Sequence, residues 1–306
     1  MLGPILETLI GGLLTGVLYA LVALGFVLIF KASGVFNFAQ GAMVLFAALS
    51  VARLSEFLPL VLAIVLAIVI MFALAYAIEF LVLRRLVNQE GIVLFMSTLG
   101  VTYFLEGFGQ TIWGSDIYKI NLGIPKNPMF LFQSVFPGGI LIDPEELAAA
   151  AICAVLVTVL AVFFQVTRVG RALRAVADDH QAAQSVGIPL NYIWLVVWAT
   201  SGIVAIAAGM IWGSKLGVQF SISLVALKAL PVLILGGLTS IPGAIVGGLI
   251  IGAGEKLAEI LLGPLLIKWF DLAGGGIENW FAYVLALLFL LVRPQGLFGE
   301  RIIERI

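Results

Sequence analysis

Apolar runs of close to 20 residues recur from one end of this chain to the other, and that spacing constrains its fold more than any motif. Crossing about 30 Å of hydrocarbon as an α-helix takes about 20 mostly apolar residues. Such runs are read at Thr8–Phe30, Gly34–Ala52, Leu58–Leu83, Gly91–Ile112, Glu146–Val166, Tyr192–Trp212, Ile222–Gly237, Ala244–Leu262 and Asn279–Val292. Period-2 alternation over about ten residues, the mark of a membrane β-strand, is absent. Of 306 residues, 62% are hydrophobic and 11% charged, whereas a soluble domain carries about 25% charge. The expected fold is all-α: a polytopic transmembrane helical bundle of about eight to ten membrane segments, a single domain over residues 1–306 with no soluble domain attached. The seventh and eighth runs are the least defined. Gly236–Gly243 between them holds helix breakers and no charge, which fits a surface turn or an unwound break inside the membrane.

Charge fixes the expected orientation. Arg84 and Arg85 follow the third run, Arg168, Arg171 and Arg174 the fifth, and Arg293, Arg301 and Arg305 the last. An alternating topology puts these groups on one side and leaves Arg53 opposite. By the positive-inside rule that side is the cytoplasm, with the N-terminus outside and the C-terminus inside. The loop 113–145, rich in Gly, Pro and Asn, then lies outside. Before Lys31 there is no Lys or Arg, so Met1–Phe30 is expected to be a retained first span rather than a cleaved signal. A net charge of −1 gives no case for nucleic acid. One cysteine, Cys153, and one histidine, His180, supply neither an intrachain disulfide nor a metal site.

Against this apolar background the polar interval Arg168–Pro189 stands out. Ala172, Ala175, Ala177, Ala182 and Ala183 favour helix, and Gly187, Ile188 and Pro189 read as a Schellman-type stop. Asp178-Asp179 is a point where the segment can divide into two short helices, the second running to Val186. An amphipathic helix lying at lipid phosphates is one reading. Its large apolar residues are sparse, however, and its small residues suit close docking into a protein groove.

The pattern over Gly170–Ile188, Gly-Arg-Ala-x-Arg-Ala-x-Ala-Asp-Asp-x-x-Ala-Ala-x-x-x-Gly-Ile, resembles the cytoplasmic loop of ABC-type branched-chain amino acid import permeases. Three more stretches agree, in order. Tyr19-Ala20-Leu21-x-Ala23-Leu24-Gly25 with Gly34–Gly41 is similar to that family's N-terminal signature, where the position of Gln40 is often His. Lys228-Ala229, Leu235–Ala244, Gly247-Gly248 and Glu255 resemble its C-terminal signature, and Arg293–Gly299 its tail. The resemblance implies an ABC importer permease in a bacterial-type cell inner membrane, with no nucleotide site of its own. It implies a second permease subunit, identical or related, two ATPase subunits that use ATP and Mg, and an extracytoplasmic solute-binding protein. The lipid bilayer is its medium. The cytoplasmic coupling segment 168–190 would sit in a cleft of the ATPase, through Arg171, Arg174, Ala175, Asp178, Asp179, Ala182, Ala183, Ser185 and Gly187. In agreement, no Gly-x-x-x-x-Gly-Lys-[Ser/Thr] phosphate loop occurs, and no cofactor or metal is expected on this chain.

Polar residues inside the apolar runs are candidates for the substrate pathway. Asn37 and Gln40, one turn apart, would meet a substrate carboxylate at a half-helix N-terminus, or else join neighbouring helices or satisfy a bent backbone. Thr98 and Thr102 share a helix face and commonly satisfy local backbone oxygen. A charge at membrane depth is costly and tends to face the protein interior. Glu79 is expected to pair at the interface with Arg84-Arg85, and Glu106 to snorkel. Lys228 would bind a carbonyl freed by the Gly236-Gly237 break, or a carboxylate on another helix. Gly12/Gly16, Gly243/Gly247 and Gly248/Gly252 are small-x-x-x-small pairs that allow close helix contact. The stretch Gly254–Phe270 reads as a partly amphipathic, outward-facing segment.

The resulting expectation is a permease that passes a small solute inward, branched-chain amino acids first, with urea, short amides or other small organic solutes as alternatives. It performs no covalent chemistry: HExxH and GxSxG motifs are absent. A secondary transporter or channel with Lys228 and Glu106 as ion-coupling groups is the rival of another class.

Overall fold

A computed structural model describes residues 2–34, 36–86, 89–125, 127–131, 133, 139–270 and 276–299. Val35, Arg301 and Arg305 lie outside the described residues. The helices are α1 Leu2–Ser33, α2 Gln40–Ser55, α3 Leu60–Leu81, α4 Gly91–Trp113, α5 Pro144–Val166, α6 Arg168–Asp178, α7 His180–Ser185, α8 Leu190–Leu216, α9 Val225–Gly236, α10 Ile241–Phe270 and α11 Ile277–Val292. Among the described residues, α1, α3, α4, α5 and α8 are long and apolar enough to span a membrane singly. Helix α9, with the 3-10 turn Phe220–Leu224 before it, and α10 form a pair bent by 113°; α2 and α11 are shorter apolar helices.

Two of the expected spans change. The run Gly34–Ala52 is helical only from Gln40, because Gly34 turns the chain at φ +68° and the Asn37 side chain accepts from Ala39 N–H at 3.0 Å. The run Ala244–Leu262 lengthens into α10, Ile241–Phe270, which takes in the stretch Gly254–Phe270. The loop 113–145 also holds a small antiparallel pair, β1 Met129–Leu131 with β2 Ile140–Ile142, Phe130 opposite Leu141.

The chain divides into two compact units. Unit 2, Leu24–Leu122 with Val155–Ala226, is built around α2. Every residue of α2 from Gln40 to Ala52 is buried, as expected of a helix apolar on all sides with neighbours on each. Helices α3, α4 and α8 pack on it. The stripe Ala63, Ala67, Met71 and Ala75 of α3 is buried, while Val61, Val65, Val69, Phe72, Tyr76 and Phe80 are exposed. Lipid is as apolar as Leu, so small residues take the helix contact and large ones the lipid face. Gly209 of α8 meets Val44 and Ala48 of α2 in the same way.

Unit 1, Met1–Ala23, Gly123–Ala154 and Leu227–Ile306, brings α10 against the first part of α1. A Cβ at Gly12 would fall 2.7 Å from the Gly252 carbonyl, and one at Gly16 would overlap that of Gly248. Cys153 is buried and its thiol donates to Val17 O at 3.4 Å, a packing role. Where α9 ends, Gly237 takes φ +105°. The carbonyls left over there accept from the tail, Leu297 N–H to Leu235 O at 2.8 Å and Phe298 N–H to Gly236 O at 3.1 Å. The tail and the break, far apart in sequence, are therefore one motif: a Cβ at Gly296 would fall 2.7 Å from Gly237 N, and one at Gly237 would fall 2.8 Å from Gly299 N.

Candidate functional site

The segment after α5 is anchored before it is exposed. Thr167 caps α6, its hydroxyl accepting from Gly170 N–H at 3.1 Å. Gly170 lies so close to Phe164 that a Cβ would overlap its backbone. An α-helix leaves its last four carbonyls without intrahelical partners. Arg174 donates to Phe164 O at 2.7 Å and Arg171 to Val166 O at 3.2 Å, so both arginines cap the end of α5. Gly170, Leu173 and Val176 are buried. The apolar face of α6 is thus used inside the protein and is not left for a lipid surface.

The segment divides where the Asp pair stands. Asp178 ends α6, and Asp179, in extended backbone, caps α7 by accepting from Gln181 N–H at 2.8 Å and Ala182 N–H at 3.0 Å. The stop has full Schellman geometry: Gly187 at φ +87°, Ile188 N–H to Ala183 O at 3.0 Å, Gly187 N–H to Gln184 O at 3.0 Å. Ala183 is buried beneath this turn and Ala175 is half-buried. Ala182, Ser185 and Gly187 face outward, with Val186 76% exposed. An apolar side chain so bare at the tip of a rigid polar loop is a feature that sequence reading did not single out.

Of the four uncharged pathway candidates of unit 2, Gln40 and Thr98 join elements together, while Asn37 and Thr102 bond within their own stretch. Gln40 Oε1 accepts from Ser201 of α8 at 2.6 Å, and its amide nitrogen, buried without a hydrogen-bond partner, fills the space a Cβ would take at Gly25. Asn37 is buried and closes its own turn. Thr98 donates to Phe95 O at 2.9 Å and accepts from Phe38 N–H at 3.3 Å, tying α4 to the turn before α2. Thr102 donates to Thr98 O at 2.9 Å. Glu79 is buried and its Oε1 lacks a hydrogen-bond partner; Arg84, whose guanidinium lies 5.9 Å over the Phe80 ring, is within electrostatic reach of it without closing a contact ion pair.

Lys228 belongs to unit 1 and to a charged cluster there. Its ammonium lies 5.9 Å over the Tyr19 ring, within electrostatic reach of Glu255 and Glu278. The tail already satisfies the carbonyls of the α9 break, so of the two expected partners the carboxylates are the ones present. Glu255 is 1% exposed and hydrogen-bonds the Tyr19 hydroxyl. Neither Tyr19 nor Glu255 was a site candidate on sequence grounds. The signal was an acid inside the apolar run Ala244–Leu262, beside Lys256 and one turn before Glu259.

Residues 8–293 match the family described as branched-chain amino acid transport system / permease component. The high-affinity branched-chain amino acid transport system permease protein BraD of Pseudomonas aeruginosa is 28% identical, over 98% of this chain and 98% of that protein. LivH of Escherichia coli K12, which bears the same description, is 28% identical over 98% of this chain and 97% of its own length. Among solved structures, PsaBC from Streptococcus pneumoniae in complex with Fab aligns with 97% of this chain and 98% of its own, at 16% identity and a TM-score of 0.45.

Proposed function

Since the chain belongs to the family of branched-chain amino acid transport system permease components, we propose that it passes leucine-type amino acids inward, driven by ATPase closure acting on the tip of α7. It is a membrane permease subunit of an ABC importer and works in a complex with other subunits; ATP hydrolysis belongs to those subunits, not to this chain. The solute follows from the relatives, which are branched-chain amino acid permeases over nearly their whole length. That relationship does not favour urea, short amides or an ATPase-independent carrier.

One observation carries the coupling step. Ala182, Ser185 and Val186 are presented outward, while Arg171 and Arg174 tie the same segment to the last turn of α5. A partner that grips the tip therefore pulls on a membrane span through two hydrogen bonds and a backbone contact at Gly170. In this reading the tip is cytoplasmic, the N-terminus is outside, and the protein resides in the cell inner membrane. Two ATPase subunits supply ATP and Mg chemistry. A second permease, identical or related, completes the pore, and an extracytoplasmic solute-binding protein delivers the amino acid.

The test is leucine uptake by the complete importer in proteoliposomes. Wild type should accumulate leucine only with ATP. Gly187→Pro, which loses both the left-handed turn and its N–H, and Ala182→Glu, on the exposed face, should stay inserted yet lose most uptake while ATP hydrolysis continues. Normal uptake in both variants would overturn the coupling role. Absence of leucine uptake by an active wild-type complex would overturn the solute.

A further inference from the structure

Unit 1 holds a cavity of about 590 Å³ between α1, α10, α11 and the hairpin region, lined by Glu7, Thr15, Asp143, Glu146 and Glu259. Lys256 and Glu278 close an ion pair at 2.9 Å on its wall. Tyr19 is one helical turn beyond Thr15, and Glu255 one turn before Glu259. Residues four apart share a helix face, so these two continue the cavity-lining faces inward. The glycine contacts at Gly12/Gly252 and Gly16/Gly248 hold the two backbones together at this level.

What lies there is chemically incomplete. Glu255 accepts from the Tyr19 hydroxyl, and its other oxygen, Oε2, is buried without a hydrogen-bond partner. Lys228 stands over the Tyr19 ring within electrostatic reach, and neither it nor Glu255 closes an ion pair with another described residue. A buried charge is retained where it is paired or where it works. Here a buried acid and a half-buried base are kept within electrostatic reach without closing an ion pair, with an aromatic ring beside them. An α-amino acid carries the matching pair, an ammonium and a carboxylate on one carbon.

We propose that Tyr19, Lys228 and Glu255 form a headgroup site for the zwitterion on its way through this subunit. Glu255 Oε2 accepts from the solute ammonium, Lys228 meets the solute carboxylate, and the Tyr19 hydroxyl fixes the other Glu255 oxygen. The acidic cavity is the vestibule that leads to it. Such a site reads the amino-acid headgroup and leaves the side chain to apolar walls. The inference rests on the amino-acid reading of the solute given above.

The experiment uses the complete importer in proteoliposomes, with labelled leucine as probe and ATP hydrolysis stimulated by the binding protein as the second readout. Glu255→Gln and Lys228→Met should each assemble, keep stimulated hydrolysis near wild type, and lose leucine uptake by about tenfold or more. Glu255→Asp and Lys228→Arg, which keep the charges, should recover part of it. Wild-type uptake in either assembled charge-removed variant overturns the site while leaving the permease reading intact. A parallel loss of uptake and stimulated hydrolysis overturns it in favour of a structural charge cluster, as does failure of both charge-removed variants to assemble. If the wild-type complex is active yet moves no leucine, the amino-acid reading itself has failed.

Discussion

Gly170 shows how one missing methyl group fixes the position of a whole segment. Its Cα sits where the Phe164 backbone leaves no room for a Cβ, so the α5–α6 turn closes only with glycine. Gly170→Ala should cost about 1–3 kcal/mol through overpacking, seen as a lower melting temperature of the detergent-solubilised protein. An unchanged melting temperature would mean that the turn relaxes freely. Gly187 is needed for a different reason, its φ of +87°, a region that costs an L-residue about 1–2 kcal/mol. The glycine at the stop was legible in the sequence, because Gly-Ile-Pro after an alanine-rich run has a local cause. The need for Gly170 was not, because its cause is the approach of a second backbone.

Among helices the same logic selects which faces meet. In water, α3 would bury its large side chains; here Ala63, Ala67, Met71 and Ala75 are inside and Val, Phe and Tyr residues outside, since lipid solvates apolar groups as well as protein does. The α1–α10 contact is the extreme case. Gly248→Val should force those helices apart, with a loss of about 3 kcal/mol in thermal unfolding. Gly11→Ala, beside Gly12 but with nothing near its Cβ position, should be close to neutral. Equal effects of the two substitutions would contradict close packing at Gly248. The glycine pairs were visible as a spacing, yet the partner helix was not. Spacing specifies that something comes close, not what.

For the molecule as a transporter subunit, the sidedness of the α7 tip is the first thing to establish. Ser185 is exposed and Cys153, the one native cysteine, is buried. Ser185→Cys should therefore react with a membrane-impermeant maleimide in inside-out vesicles and stay unlabelled in intact cells. The reverse pattern would place the segment outside and remove the coupling role. Membrane class, the all-α fold and the four signature stretches were legible in sequence; the count of spans was not, since nine runs were read and, among the described residues, five helices are long enough to cross singly, or six with the bent pair. What the signature stretches do for one another was not. The tail Arg293–Gly299 caps the break at Gly236-Gly237 through two backbone hydrogen bonds, and backbone pairing leaves no trace in side-chain identity.

By itself, then, the sequence determined what local physics controls: helices where about 20 apolar residues run together, a two-helix polar segment split at Asp179, and a Gly187 stop. Tertiary structure decided what depends on a second surface. It turned Gln40 and Thr98 into joints between elements, and made Arg171 and Arg174 caps on α5. It also gathered Tyr19, Lys228 and Glu255, from three distant stretches of chain, around one unpaired carboxylate oxygen. A polar side chain in a membrane must find its partner within the protein, and only the fold says which partner that is.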